Sequence, residues 1–120
     1  MHFRFYSLEV WRLAIEIGDL LFDIADQLDK KRLYRFAEQL RGSGMSMSNN
    51  IAEGSGSNQP KEFIQFINYA RRSTFENANI LTILQRRNLI EEQELNHLLS
   101  ELDLLCRKLT ALQRSLKNSR

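Results

Sequence analysis

The sequence predicts an all-α protein: one domain over residues 1–120, folded as an up-down-up-down antiparallel four-helix bundle. Three observations carry this expectation. Apolar residues recur at spacings of three and four along four segments, about 8–28, 32–53, 60–86 and 91–116, as one face of a helix requires. No stretch alternates polar with apolar residues for long enough to read as a strand. The chain's one proline, Pro60, stands at the start of a segment, directly after the break Gly54-Ser55-Gly56-Ser57-Asn58. Helices of this length joined by short connections close into a bundle.

The first helix opens after Ser7, whose hydroxyl is expected to accept from an amide one turn in. Tyr6 and Trp11 stand where a hydrophobic staple closes over such a cap. Val10, Ala14, Ile17, Leu21, Ile24 and Leu28 form one apolar stripe, with Trp11, Ile15, Gly18, Phe22 and Ala25 beside it. The polar residues are squeezed onto a strip of Arg12, Glu16, Asp19, Asp23 and Asp26. One packed face needs an apolar arc of only about 100°. Two stripes therefore call for two neighbours, or for a second subunit.

The second helix is seamed by Leu33, Ala37, Leu40, Gly44, Met47 and Ile51. Its middle, Gly42-Ser43-Gly44-Met45-Ser46-Met47-Ser48, is a poor helix former, since each glycine costs up to ~1 kcal/mol against alanine. Close helix packing is the expected offset, and a loop is the competing reading. Pro60 suits the first position of the third helix, where its missing amide proton does no harm. That helix runs along Phe63, Ile67, Ala70, Thr74, Asn77, Leu81 and Leu84, with a second stripe of Phe66, Tyr69, Ser73, Glu76, Ile80 and Ile83. Asn88-Leu89-Ile90 reads as a turn. The fourth helix begins among Glu91, Glu92 and Glu94, which suit the positive end of a helix dipole, and continues through leucines from Leu95 to Leu116.

Composition narrows the function classes. A lone Cys106 excludes an intrachain disulfide framework and fits a reducing cytoplasm, where it packs as a small hydrophobe. No apolar run approaches the roughly 20 residues of a membrane span, and the opening residues do not read as a signal peptide. The net charge of +2 permits a nucleic-acid partner without demanding one.

No catalytic site, metal site or cofactor is expected. Glu94 and His97 have the Glu-x-x-His spacing of di-iron bundles, but such a site needs two of these motifs facing inward. Here there is one, and with Glu101 it lies opposite the leucine seam. Gly54-Ser55-Gly56 lacks the Lys-Ser/Thr of a phosphate loop and follows no strand. Cys106 has no histidine near it in sequence, and the acidic strip of the first helix reads as a hydrated face. The chain reads as non-enzymatic.

Charge distribution says more than total charge. Residues 1–28 carry two basic and five acidic groups, whereas residues 55–90 carry five basic and two acidic. In an up-down bundle Lys30, Lys31, Arg32 and Arg35 share a pole with Arg86 and Arg87, diluted by Glu91, Glu92 and Glu94. Arg107, Lys108, Arg114 and Lys117 go to the opposite pole. Such a cluster of six cations can neutralise phosphates, giving salt-dependent, sequence-independent binding. The competing reading is that these charges only keep helix ends soluble.

Three stretches together resemble a known family. Phe5-Tyr6-Ser7-Leu8-Glu9-Val10-Trp11 with Ala14, Gln39-Leu40-Arg41 followed by Ser48-Asn49-Asn50-Ile51-Ala52-Glu53-Gly54, and Glu62-Phe63, Phe66, Ala70, Ser73 and Glu76 are similar to motifs of the four-helix-bundle proteins encoded in intervening sequences of bacterial large-subunit (23S) ribosomal RNA. Asn50-Ile51-Ala52-Glu53-Gly54 is the most specific part. Arg72 stands where that family has glycine, Gln59 and Glu91 where it has capping serines, and Met47 where it has isoleucine. The resemblance implies a cytoplasmic bundle assembled as a ring-shaped homopentamer, without enzymatic activity, associated with structured RNA or ribosomal components. A related group, the accessory variability proteins of diversity-generating retroelements, implies a protein partner, a reverse transcriptase, and is the alternative. Of the motif residues, Arg41, Asn50, Glu53 and Glu76 are expected to form a structural polar network, with direct ligand contact as the competing reading. Buried charges would have to be paired there, because an unpaired one is very costly.

Overall fold

Four helices follow one another with connections of only a few residues: α1 (Glu9–Lys30), α2 (Tyr34–Ser55), α3 (Pro60–Arg86) and α4 (Glu92–Asn118), preceded by a 3-10 turn over Arg4–Ser7. This computed structural model describes residues 2–119, and among them there is no strand. Each helix packs along the next in sequence, and α1 meets α4 more sparingly, in a four-helix bundle of 50 × 27 × 19 Å. The core is the set of stripes expected from periodicity. Ile17, Leu21, Leu40, Met47, Ile51, Phe63, Ile67, Leu81, Leu84, Leu98 and Leu105 are all buried there.

The first helix starts differently from expectation. Ser7 is not its cap: its hydroxyl donates to the Arg4 carbonyl at 2.8 Å, inside the 3-10 turn. Leu8 occupies the cap position, with no side-chain hydrogen bond. The rings set the entry angle instead, Tyr6 meeting Trp11 edge-on at 5.3 Å as a staple would.

α2 also starts later than expected, at Tyr34, because Arg32 belongs to the stop signal of α1. Its φ of 62° is left-handed. The Leu33 amide donates to the Leu28 carbonyl and the Arg32 amide to the Asp29 carbonyl, both at 2.9 Å. That bond pair is the Schellman cap, which satisfies carbonyls at a helix end. α3 ends the same way: Asn88 has a φ of 60°, and the Leu89 and Asn88 amides donate to the Leu84 and Gln85 carbonyls.

The glycine- and serine-rich middle of α2 is helix throughout. Gly44 lies against Leu21 and its carbonyl faces Gly18, where an added β-carbon would stand 3.5 Å away. From the second stripe of α1, Gly18 is thus buried against α2, while Trp11, Ile15 and Phe22 stay half-buried. The helix continues through Gly54 to Ser55, two residues past the expected end, so the break between α2 and α3 is Gly56 to Gln59.

Candidate nucleic-acid interface

The two capped connections lie side by side. Lys31, from the first, lines one cavity with Asn88, Leu89, Ile90, Glu91 and Glu94, from the second. Lys30 is the last residue of α1, Arg35 is in the first turn of α2, and Arg86 and Arg87 end α3. All six cations are exposed. Glu91, Glu92 and Glu94 share this end and are exposed too. The surface can therefore present guanidinium and ammonium groups to a polyanion, with three carboxylates opposing them.

The expected network of Arg41, Asn50, Glu53 and Glu76 does not form within the subunit. Arg41 looks towards α1 instead: its Nη2 donates to Asp26 Oδ1 at 2.7 Å and Asp29 Oδ2 at 2.6 Å, and its Nη1 to Glu38 Oε1 at 3.2 Å. These bonds, with Asp29 first and Asp26 second, hold its pKa above the ordinary arginine value. Glu53 and Glu76 are exposed. They sit more than a helical turn from Arg41 along α2 or on α3, too far for one side chain to gather them. Arg41 thus clamps the end of α1 to α2. Arg41→Ala should lower the midpoint of thermal unfolding while leaving helical circular dichroism intact. The deficit should shrink in molar salt, where exposed charges are screened over about 3 Å.

The buried polar network lies elsewhere, between α2 and α3. Asn77 is fully buried. Its Nδ2 donates to the carbonyls of Ser43 and Ser73, each at 2.9 Å, and its Oδ1 accepts from the Ser43 hydroxyl at 2.7 Å. Ser46 and Ser73 share a hydroxyl pair at 2.7 Å, and Asn50 donates to the Ser46 carbonyl at 2.8 Å. Of the four expected members Asn50 bonds within it, and Glu76 lines one cleft with Asn50, Ser46 and Ser73. The available signal was a polar Asn77 in the apolar seam of the third helix, since a buried amide must find partners.

Other candidates separate. Glu94 and His97 are exposed and Glu101 half-buried on α4, and among the described residues no three His, Cys, Asp or Glu side chains are placed to hold a metal ion. Cys106 is half-buried beside Phe75, Leu99 and Leu102. At the opposite end Lys108 bonds Glu9, which joins α4 to α1. That bond, and then the ammonium charge, holds the Glu9 carboxyl below its ordinary pKa. A depressed carboxylate pKa stabilises above the unfolded value and ceases to do so as pH falls through the folded one, so this tie is released in acid. Among the described residues no helix is long and apolar enough to cross a membrane.

Comparison with known proteins places the chain. It is similar to a crystal structure of a protein of unknown function from the S23 ribosomal protein family of Bacteroides thetaiotaomicron. The TM-score is 0.82 at 19% identity, covering 87% of this chain and 97% of that one. At that identity the likeness is one of fold. No curated protein matches. Residues 6–111 match the sequence profile described as 23S rRNA-intervening sequence protein. With nearly the whole bundle inside that match, the chain belongs to the 23S rRNA-intervening sequence protein family.

Proposed function

We propose that this chain is a non-enzymatic, RNA-associated protein of the cytoplasm that binds structured RNA or ribosomal components through Lys30, Lys31, Arg32, Arg35, Arg86 and Arg87. The observation that carries the reading is the meeting of two cation-bearing connections at one end, in a chain of the 23S rRNA-intervening sequence protein family. The whole chain acts as one domain, with its helices in up-down-up-down order, because connections of three to five residues leave room only for antiparallel neighbours. The bundles assemble as a ring-shaped homopentamer, which repeats the basic end around the ring. Exposed Tyr34, Met45 and Leu104 offer apolar surface for such contacts.

Filter binding of the intact protein to structured RNA at two salt concentrations tests this, with light scattering for its mass. A pentamer of ~70 kDa, five times the 14.1 kDa subunit, is expected. Affinity should fall by ~0.7–0.9 log units per log unit of salt for each phosphate contacted. The triple variant Arg32→Glu, Arg35→Glu and Arg86→Glu should abolish binding yet keep helical content and mass, since all three side chains are exposed. Neutralising Glu91, Glu92 and Glu94 should strengthen it. Salt-independent binding, or none at low salt, leaves the alternative: a protein–protein adaptor, such as a reverse-transcriptase accessory protein. Phe75, 67% exposed beside an apolar cavity on α3 and α4, favours that second reading.

A further inference from the structure

The N-terminal turn concentrates aromatic rings at the opposite end of α1 from the basic pole. Phe5 stacks on Phe3, with centroids 5.7 Å apart and 23° between planes, and on Tyr6, at 4.8 Å and 27°. It also leans on Trp11 at 4.9 Å. Phe5 is half-buried, but Phe3 and Tyr6 are each 53% exposed. Core packing gives no reason to leave two such rings half in water.

The backbone that carries the rings is hydrogen-bonded throughout the turn. The Tyr6 amide donates to the Phe3 carbonyl at 3.1 Å and the Leu8 amide to the Phe5 carbonyl at 3.0 Å. Arg12 Nη1 donates to the Tyr6 carbonyl at 3.0 Å. Arg4, on the same turn, lies with its guanidinium 4.9 Å from the Phe63 ring centre. Beside the rings runs an open groove of about 450 Å³, lined by Phe3, Arg4, Phe5, Asn49, Ala52 and Glu53. Glu53, which takes no part in the α2–α3 polar network, is on this groove's wall.

Flat rings, a cation and polar edge groups are what proteins present to unpaired bases. Base–aromatic stacking tolerates any base because every base has a π-face, and cations track the backbone. A duplex keeps its bases stacked on one another and cannot offer that face. We infer that this groove takes an unpaired nucleobase of single-stranded nucleic acid: the base stacks on Phe3, Arg4 faces the phosphate, and Asn49 and Glu53 meet the base edge. An ionised carboxylate only accepts hydrogen bonds, so Glu53 meets a base through one of its N–H groups, whether ring or exocyclic. This rests on the RNA-associated reading but adds a second contact surface and the form of nucleic acid it takes.

Fluorescein-labelled oligocytidylate, oligouridylate and an RNA duplex of equal length are titrated with the intact protein at low salt. Anisotropy reports binding, and Trp11, the chain's one tryptophan, reports the rings by its fluorescence. Both single strands should bind and quench Trp11, and the duplex should leave its fluorescence unchanged. Phe3→Ala should weaken single-strand binding about 5- to 150-fold, the loss of one stacked base, with duplex binding and oligomer mass unchanged. Phe3→Trp should restore it. Unchanged single-strand binding by Phe3→Ala overturns the inference, as does absence of single-strand binding by the wild type. A changed mass also overturns it, because the rings would then be a contact between copies or with another protein. The two readings fail separately: the Arg32, Arg35, Arg86 triple variant should lose duplex binding, and only Phe3→Ala should lose the single-strand preference.

Discussion

Gly54→Ala is expected to destabilise the bundle by about 1–3 kcal/mol, although alanine is the better helix former by up to ~1 kcal/mol. The clash outweighs the propensity. A β-carbon at residue 54 would stand 2.5 Å from Phe66 Cβ, 3.0 Å from Phe63 Cδ1 and 3.3 Å from Phe66 Cγ. Phe66 Cβ is fixed to the backbone of α3, so rotamer change gives no relief and α3 itself must move away from α2. Gly42 is the matched control on the same helix: a β-carbon there meets nothing within 4 Å. Gly42→Ala should therefore stabilise by about 0.5–1 kcal/mol. Urea unfolding should show the two midpoints moving in opposite directions. Equal shifts of one sign would refute the close contact between α2 and α3 at Gly54.

Asn77→Asp should be more damaging still, and its effect should depend on pH. The change replaces an amide donor, which serves the Ser43 and Ser73 carbonyls at 2.9 Å, with an oxygen that repels both. Ionised, this fully buried carboxylate would cost at least about 3 kcal/mol at neutral pH. Protonated, it can donate to one of the two carbonyls. Its folded pKa is thus raised above the unfolded value. The sign follows: the variant's stability is greatest below the ordinary aspartate range and is lost as pH rises through the raised pKa. Asn77→Leu is the pH-independent counterpart. It leaves the Ser43 hydroxyl without its 2.7 Å partner and should cost about 1–3 kcal/mol at any pH. Stability curves for both variants at pH 4 and pH 7 decide the matter, and parallel curves would exclude a buried carboxylate.

Periodicity made the four helices legible, and the small residues between Gly42 and Ser48 were legible as a place where helices approach closely, which Gly44 fulfils against Leu21. What escaped was set by contacts distant in sequence or by unexpected local geometry. Ser7 has a capping residue's chemistry, but the 3-10 turn spends its hydroxyl on the Arg4 carbonyl. Arg32 continues the helical pattern of α2, yet its backbone belongs to the cap of α1. Arg41 belongs to a motif with Asn50 and Glu53, but its partners Asp26 and Asp29 lie across a connection. Asn77 could be flagged as a buried amide, while its bond to Ser43, 34 residues away, required the packing of α2 on α3. The adjacency of Lys31 to the Asn88–Glu91 connection was legible because it needs only the order of the helices and the position of charge at their termini.

The cap of α1 sets two demands on one residue. At its φ of 62° glycine fits without strain, and a β-carbon costs on the order of 1 kcal/mol. The matching cap of α3 uses asparagine, the side chain that tolerates this backbone best. At residue 32 the chain keeps an arginine that helix capping alone disfavours. Arg32→Gly should therefore stabilise the fold by on the order of 1 kcal/mol while removing one cation from the end of the bundle, so a single substitution sets robustness against charge.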